Sequence, residues 1–283
     1  FTTMAKKYHK TIFLPGLHGQ FKLWKREIAG YCNRAEEVVQ FGNIIGCNDY
    51  VKDYEQRGAN EATLKYVLLY QNTEDNWTQL VGPNEIAALN MPDEWTNKVS
   101  RQILRNNWLS SNPIMKVAGV HQGRLVTHGG LTYGEWLSIG SPESPETASE
   151  RLNDKYQGTL YQGHSYALGG APNHSANPIW CDPILELYPS WITAPVNMPF
   201  GQVHAGRNLN SDVGRTIINE EHSIFKYADK INFRKYGSIT QIGENKIIGI
   251  DIPLDGRVLT SLPRPYAFYV EKKEISQEIK SDR

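Results

Sequence analysis

The stretch TIFLPGLHGQFKLWKR, residues 11–26, decides the expected fold. A short apolar run over residues 11–15 ends in a glycine-rich turn that holds His18. The segment after the turn carries apolar side chains at helical spacing, namely Phe21, Leu23, Trp24 and Ile28. This pattern predicts a buried strand, a turn and a helix. In open α/β folds such a strand end delivers a polar side chain to the ligand crevice.

The same alternation of strand and helix continues through the first half of the chain. A second strand is predicted over residues 38–41 and a third over residues 77–82. Between them, Leu64, Val67 and Leu68 stand at i, i+3 and i+4, which is the apolar stripe of a helix. The segment after the third strand is predicted to be mostly helical. Strands that alternate with helices favour an α/β protein built in layers.

The sequence predicts one domain over residues 11–270, preceded by an N-terminal extension over residues 1–10. Residues 133–190 are rich in Gly, Pro and Ser, which predicts a loop-rich insertion that forms a functional surface or an interface. Short apolar runs with glycine turns after residue 235 predict a closing antiparallel sheet. The polar residues 271–283 are expected to form a solvated C-terminal tail.

Composition narrows the classes of partner and compartment. The chain has 283 residues, of which 40% are hydrophobic and 21% charged, and its formal net charge is +0. This balance gives no global reason to expect nucleic acid or an anionic membrane as partner. No apolar run approaches the roughly 20 residues of a membrane helix, and no secretory leader is recognised. Three cysteines without CxxC spacing, Cys32, Cys47 and Cys181, favour a reduced cytoplasmic or intracellular setting.

Five predicted strand ends share one form, an apolar run followed by glycine and polar residues. They are LPGLHGQ (14–20), QFGNIIGCND (40–49), LVGPNEIAAL (80–89), LVTHGGLT (125–132) and FGQVHAGRN (200–208). Because strand ends in α/β folds converge on the ligand crevice, these segments predict a site at one rim of the sheets.

The order and spacing of these segments resemble the calcineurin-like metallophosphoesterases, in particular their phosphoprotein-phosphatase branch. That family carries Gly-Asp-x-His-Gly, Gly-Asp-x-x-Asp-Arg-Gly, Gly-Asn-His-Glu, His-Gly-Gly-Leu and a late His strand end. The segment IWCDPILELY also resembles the branch at Trp180, Asp182 and Pro183. The resemblance covers roughly residues 11–265. It implies an α/β/β/α sandwich of two mixed sheets flanked by helices, and two divalent metals about 3.5–4 Å apart.

Several charged residues of the family pattern are replaced in this chain. Gly16 stands at the first Asp position and Asn43 at the position of the Asp that bridges the metals. The second Asp and the Arg of the same motif correspond to Gly46 and Cys47. In the third motif the Asn and His positions hold Pro83 and Asn84, while Glu85 remains. His18 and His128 match the family, and the late ligand position falls either on His204 or on Gly206.

These replacements predict a catalytically degenerate site. Without the bridging carboxylate, two dications repel strongly in a cleft of low dielectric constant. Mg²⁺ and Mn²⁺ favour oxygen anions, and a phosphate would also lack its Arg clamp. The favoured hypothesis is a pseudophosphatase without a cofactor that works as a binding or assembly component for a protein partner. The alternative is an active phosphoesterase with one divalent metal, such as Zn²⁺ or Mn²⁺, on His18, His128 and His204.

Simpler interpretations of the same residues stay open. A histidine at a strand end often serves only as a hydrogen-bonding residue, and glycine suits a strand-to-loop turn in any protein. Asn43 and Asn84 are also suited to capping helices or fixing turns. The other four histidines are expected at the surface or in loops, namely His121, His164, His174 and His222. Three tryptophans in or beside the middle segment suggest an aromatic contact surface, namely Trp136, Trp180 and Trp191.

Overall fold

The structure is a computed structural model of the chain. It describes residues 8–19, 21–23, 25, 29–32, 35–46, 53–71, 76–90, 96–160, 176–205, 227–234, 237–250 and 269–274.

The described residues contain strands in two sheets. The strands are β1 (Tyr8–Leu14), β2 (Glu37–Gln40), β3 (Trp77–Gln79), β4 (Ala118–His121), β5 (Arg124–Thr127), β6 (Gln202–His204), β7 (Phe233–Arg234), β8 (Gly237–Ile242), β9 (Asn245–Ile250) and β10 (Tyr269–Glu274). The first sheet has the order β10-β1-β2-β3, and the second has the order β4-β5-β6-β9-β8-β7. Both sheets are mixed, so the strand pattern confirms the predicted α/β class.

Helices occupy most of the connections. They are α1 (Phe21–Leu23), α2 (Ala29–Cys32), α3 (Asp53–Gln71), α4 (Pro83–Asn90), α5 (Lys98–Trp108), α6 (Tyr133–Ser138), α7 (Pro145–Tyr156) and α8 (Tyr188–Ile192). A π-helical segment, Pro183–Leu187, leads into α8, and a 3₁₀ turn covers Ala228–Lys230. The predicted helices after the second and third strands are thereby confirmed.

Parallel pairing brings the carboxyl ends of the central strands to common edges. In the first sheet β1 pairs parallel with β2, and β2 pairs parallel with β3. In the second sheet β5, β6 and β9 run parallel as neighbours. The last predicted strands, β8 and β9, form the expected antiparallel hairpin. The turns that follow β1, β2 and β3 therefore lie side by side, as do those after β5 and β6.

Alternating side chains join the two sheets. Phe13 and Val39 belong to one buried cluster with Val126 and Val203 of the second sheet. The ring of Phe13 lies 5.0 Å from that of His121 on β4, edge to face. Because side chains alternate along a strand, the neighbours of these residues point to the opposite face of each sheet. The apolar contact between the sheets is thus one core layer of the fold.

The outward faces of the sheets are covered by helices. Ile12, Leu14 and Val38 share a second buried cluster with residues of α3, α4 and α5, such as Leu64 and Leu104. On the other sheet, α7 packs against β4 and β5. The segment around α8 packs against β9, with Tyr188 and Ile247 in one cluster. Helices therefore pack against both sheets.

The predicted loop-rich insertion over residues 133–190 is wrong for the part of it that the structure describes. This segment holds α6, α7, the π-helical segment and the start of α8. Its Ser and Pro residues serve as helix starts: Ser144 caps α7 through the Thr147 N–H, and Pro145 follows as the first helical residue. Residues 161–175 lie outside the described residues.

Two predicted boundaries and one predicted location also need correction. Strand β1 begins at Tyr8, inside the predicted extension, and β10 runs through residues 271–274, where the tail was expected to start. Backbone pairing between β1 and β10 accounts for both differences in boundary. A polar strand at the edge of a sheet needs no alternation of apolar side chains, so its sequence does not reveal it. His121 is buried instead of lying at the surface, and its Nδ1 is 2.8 Å from the Glu37 carboxylate.

The expected aromatic contact surface is also corrected by the packing. Trp191 is buried, and its ring lies 5.8 Å from that of Trp136. Trp136 and Trp180 are half-buried and pack against the core clusters. These tryptophans therefore contribute mainly to the interior behind the second sheet.

We expect Phe13→Ala to lower the free energy of unfolding by about 3–5 kcal/mol, because it leaves a cavity between the sheets. Urea denaturation followed by circular dichroism measures the change. Leu137→Ala, at an exposed position of α6, is the control and should change stability by less than about 0.5 kcal/mol. Equal effects of the two substitutions would contradict the packing described above.

Candidate functional site

The predicted strand-end residues of both sheets lie close together in the structure. Each follows a strand or ends one: Gly16 and His18 follow β1, Asn43 and Gly46 follow β2, Asn84 lies in the first turn of α4, His128 follows β5, and His204 ends β6. Hydrogen bonds and short contacts link Gly16, His18, Asn43, Asn84 and His128, which we call the strand-end network. Cys47 and Gly206 lie outside the described residues.

The first two strand-end loops are joined through their backbones. His18 donates its N–H to the Asn43 carbonyl at 2.9 Å, and Gly19 donates to the Ile44 carbonyl at 2.8 Å. His18 has φ of 48° and Asn43 has φ of 52°, in the left-handed region that few non-glycine residues adopt. The two strained turns hold each other in register.

Asn43 occupies the centre of the strand-end network. Its side-chain Oδ1 accepts the Asn84 N–H at 3.0 Å, and its Nδ2 lies 3.5 Å from His128 Nε2. Asn84 in turn donates its side-chain N–H to the Ile45 carbonyl at 2.8 Å and lies 3.3 Å from His18 Nδ1. The amide groups of Asn43 and Asn84 therefore fix the turns, which agrees with the simpler interpretation of both residues.

Glycines are required where the loops approach most closely. A Cβ atom on Gly16 would lie 2.6 Å from His18 Nε2 and 2.8 Å from Asn43 Cβ. On Gly46 it would lie 2.8 Å from the backbone of His18, and on Gly82 it would lie 2.5 Å from the backbone nitrogen of Asn43. Any side chain at Gly16 must therefore displace the imidazole of His18 or the carboxamide of Asn43.

A buried carboxylate gathers the backbone donors of two loops. Glu85, in the first turn of α4, accepts N–H groups from Gly82 and Asn43 at 2.8 Å each and from Ile45 at 3.2 Å. Burial raises its pKa to about 7, while these donors pull the pKa in the opposite direction. The carboxylate thus already occupies the backbone donors that an anionic ligand would otherwise use.

Gln40 also positions the strand ends, which was not predicted from its sequence context. Its Nε2 donates to the Pro15 carbonyl at 3.2 Å and to the Gly42 carbonyl at 2.8 Å, and its Oε1 accepts the Gly42 N–H at 2.8 Å. The one available signal was a polar residue at the end of an otherwise apolar strand. A buried glutamine needs partners for its amide, and turn backbones supply them here.

His128 and His204 are held by contacts to neighbouring elements. His128 Nδ1 lies 2.5 Å from the Phe41 carbonyl, which requires a proton on Nδ1 and leaves Nε2 facing Asn43. His204 is buried, and its Nε2 lies 3.3 Å from the Tyr188 hydroxyl, which itself contacts Ser238. The Tyr188 partner was not expected from sequence, because residues 133–190 were predicted to be loop-rich and α8 begins at Tyr188.

Burial keeps these imidazoles neutral. It lowers the pKa of His128 to about 4 and that of His204 to about 3, with a smaller contribution from the neighbouring histidine in each case. Protein atoms around His18 lower its pKa as well, although part of this residue is exposed. The strand-end network contains no lysine or arginine. At neutral pH it is therefore a set of uncharged donors and acceptors beside one buried carboxylate.

The residues present do not fit the pair of divalent metals that the family resemblance implies. No carboxylate fits at Gly16 without movement of His18 or Asn43, and the Oδ1 of Asn43 is already bonded to Asn84. His204 Nε2 faces the Tyr188 hydroxyl. Among the described residues, no group of three His, Cys, Asp or Glu side chains could hold a metal ion. The predicted set of His18, His128 and His204 is therefore not assembled as a three-ligand site.

No protein-family model, no curated protein and no solved structure matches the chain. In the part of the chain that the structure describes, each helix is either too short or too polar to cross a membrane.

We expect Gly16→Ala to lower the free energy of unfolding by about 1–3 kcal/mol, because the added methyl group overlaps His18 and Asn43. Thermal and urea denaturation measure the change. The matched control is Gly58→Ala in α3, where a Cβ would meet no atom within 4 Å. It should raise stability by about 0.5–1 kcal/mol through helix propensity. A Gly16→Ala protein as stable as wild type would contradict the close approach.

Acidification should destabilise the protein partly through His204. Its folded-state pKa lies below its unfolded value, so the unfolded chain takes up the proton first and stability falls as pH drops from about 6.5 towards 3. We expect His204→Gln to flatten the decline in unfolding free energy by up to about 1.4 kcal/mol per pH unit. Urea titrations with EDTA between pH 7 and pH 4 measure it, and parallel profiles for the two proteins would refute the assignment.

Proposed function

We propose that this chain is a catalytically inactive relative of the metallophosphoesterases that works as a binding or assembly component for a protein partner. The proposed fold is their α/β/β/α sandwich. Two mixed sheets that pack face to face, with helices outside and polar strand ends at one rim, support this proposal. The absence of any matching family model leaves the residues themselves as its basis.

One observation carries the proposal of inactivity. Asn43 stands where the resemblance places the carboxylate that bridges two metals, and its carboxamide is engaged by Asn84 and faces His128. A neutral amide offsets none of the repulsion between two dications about 4 Å apart, which is severe at low dielectric constant. Gly16 supplies no second acid, and its space is filled by His18 and Asn43. The cleft thus favours a structural role over metal-assisted hydrolysis.

The alternative function is hydrolysis of phosphoesters with a single metal. The observation in its favour is that His128 Nε2 points towards Asn43, beside His18, so that two imidazoles border one small region. Against it stands the engagement of His204 by Tyr188. The alternative requires His204 to exchange that contact for a metal, with a cost for leaving the buried hydroxyl of Tyr188 less well satisfied.

We expect the metal-stripped protein to show no turnover of p-nitrophenyl phosphate above background after addition of Mn²⁺ or Zn²⁺. The physical reasons are the missing carboxylates, since Mn²⁺ favours anionic oxygens, and the position of His204, since the third imidazole that Zn²⁺ would need faces the Tyr188 hydroxyl. Elemental analysis after gel filtration and thermal melts with each ion give independent readouts, and no stoichiometric metal and no shift in Tm are expected.

His128→Ala is the control for these assays. Metal-dependent turnover by wild type that this substitution abolishes would overturn the proposal and establish the single-metal alternative. Turnover that persists in His128→Ala would be attributed to a contaminating phosphatase and would leave the expected result for this chain intact.

A further inference from the structure

Charge is unevenly distributed along this neutral chain. Residues 95–134 contain no aspartate or glutamate, yet they carry five basic side chains, namely Lys98, Arg101, Arg105, Lys116 and Arg124. Three of the five belong to the single helix α5. The local balance on that helix is therefore strongly positive, although the whole chain has a formal net charge of +0.

The amphipathic pattern of α5 directs much of this charge outward. Ser100, Leu104 and Trp108 recur every four residues and are buried against the core. The opposite face is exposed and consists of Lys98, Val99, Gln102, Arg105 and Asn106, with Leu109 directly after the helix. We call these six residues the α5 face. Val99 is 45% exposed and Leu109 is 40% exposed, so an aliphatic side chain lies near each end.

Among the ion pairs of the described residues, none includes Lys98 or Arg105, although Arg105 lies in the last turn of α5, where the helix dipole favours a cation. Lys98 is the first residue of α5, where the helix dipole disfavours a cation. On the neighbouring helix α3, the carboxylate of Glu61 bonds to Lys65 and to the Asn97 side chain. These bonds lower the pKa of Glu61, and both of these partners lie outside the α5 face.

The composition of the face indicates the chemistry of its partner. Lys98 and Arg105 stand seven residues apart, or about 10 Å along the helix axis. Carboxylates one heptad apart on a partner helix match this spacing, an aliphatic side chain between them can reach Val99, and one about a turn beyond the second carboxylate can reach Leu109. Apolar anchors flanked by charges are typical of protein interfaces. Nucleic-acid binding gains affinity with the number of cations, and this face offers few in a neutral chain.

We propose that the α5 face docks an acidic, leucine-containing helical segment of a partner protein. The inference rests on the proposed binding role, because it specifies the chemistry of the partner in that role. It concerns a helix outside the strand-end network. Loss of docking would therefore leave the metal assays unchanged, and metal-dependent turnover would leave the docking result unchanged.

The test uses a fluorescent helical peptide with glutamates one heptad apart and leucines between them, followed by fluorescence anisotropy. The peptide should bind the full chain, more weakly as salt rises. The double substitution Lys98→Glu and Arg105→Glu should weaken binding by at least about 10-fold. The matched control, Lys230→Glu with Lys246→Glu, makes the same change in net charge at exposed positions elsewhere and should stay within about 2-fold.

Circular dichroism and thermal melts confirm that the variants fold. If the charge-reversed variant is unfolded, the milder double substitution Lys98→Gln and Arg105→Gln takes its place. It should also weaken binding, because it removes both positive charges. No binding of the peptide at millimolar concentration would overturn the proposal, as would equal losses in the α5 and control variants. Tighter binding of a labelled oligothymidine than of the peptide, lost in the α5 variants, would also overturn it and establish a nucleic-acid surface.

Discussion

The buried carboxylate of Glu85 is the interaction on which the strand ends depend. It accepts N–H groups from Gly82, Asn43 and Ile45, which belong to the turns after β3 and β2. A buried N–H without a partner costs about 1–3 kcal/mol, so one side chain satisfies several expensive groups at once. The left-handed conformation of Asn43 persists because its backbone is held in this way. The close approach of the loops across Gly82 and Gly42 follows from the same constraint.

The electrostatics of the site follow from this packing. Burial raises the pKa of Glu85 to about 7. The stability that the protonated side chain contributes is therefore lost as pH rises from the pKa of the unfolded state through 7. The buried histidines have lowered pKa values and act in the opposite direction, since their contribution is lost on acidification. The two contributions partly cancel across the weakly acidic range. A site whose groups are neutral or internally bonded in this way is built for a stable fold, and it has little charge left to attract an anionic substrate.

Much of the fold could be predicted from sequence because its signals are local. The apolar run before Gly16, the helical stripe with Leu64 and the hairpin at the end of the chain each depend on spacing within a few residues. The helical content of residues 133–190 could not, because Ser144 and Pro145 look the same in a loop and at a helix start. The pairing of strand β10 with β1 and its extension past residue 271 were missed, because this pairing joins residues that are distant in sequence. The same reason hid the burial of His121 between the sheets, where it contacts Phe13 and Glu37.

The candidate site was predicted in position but not in its internal bonding. Motif order placed Gly16, His18, Asn43 and His128 at one rim, since parallel strands must end together. Motif order could not predict that the space at Gly16, where the resemblance places an acid, is filled by neighbouring side chains. At Gly16 the imidazole of His18 and the carboxamide of Asn43 take up the room that a carboxylate would need. An acid introduced at Gly16 would therefore meet side chains that bond to one another across the turns, since Asn43 bonds to Asn84 and faces His128. Such interdependence favours a packing role for these residues, and it agrees with the proposal that a partner docks on an exposed helix outside the strand-end network.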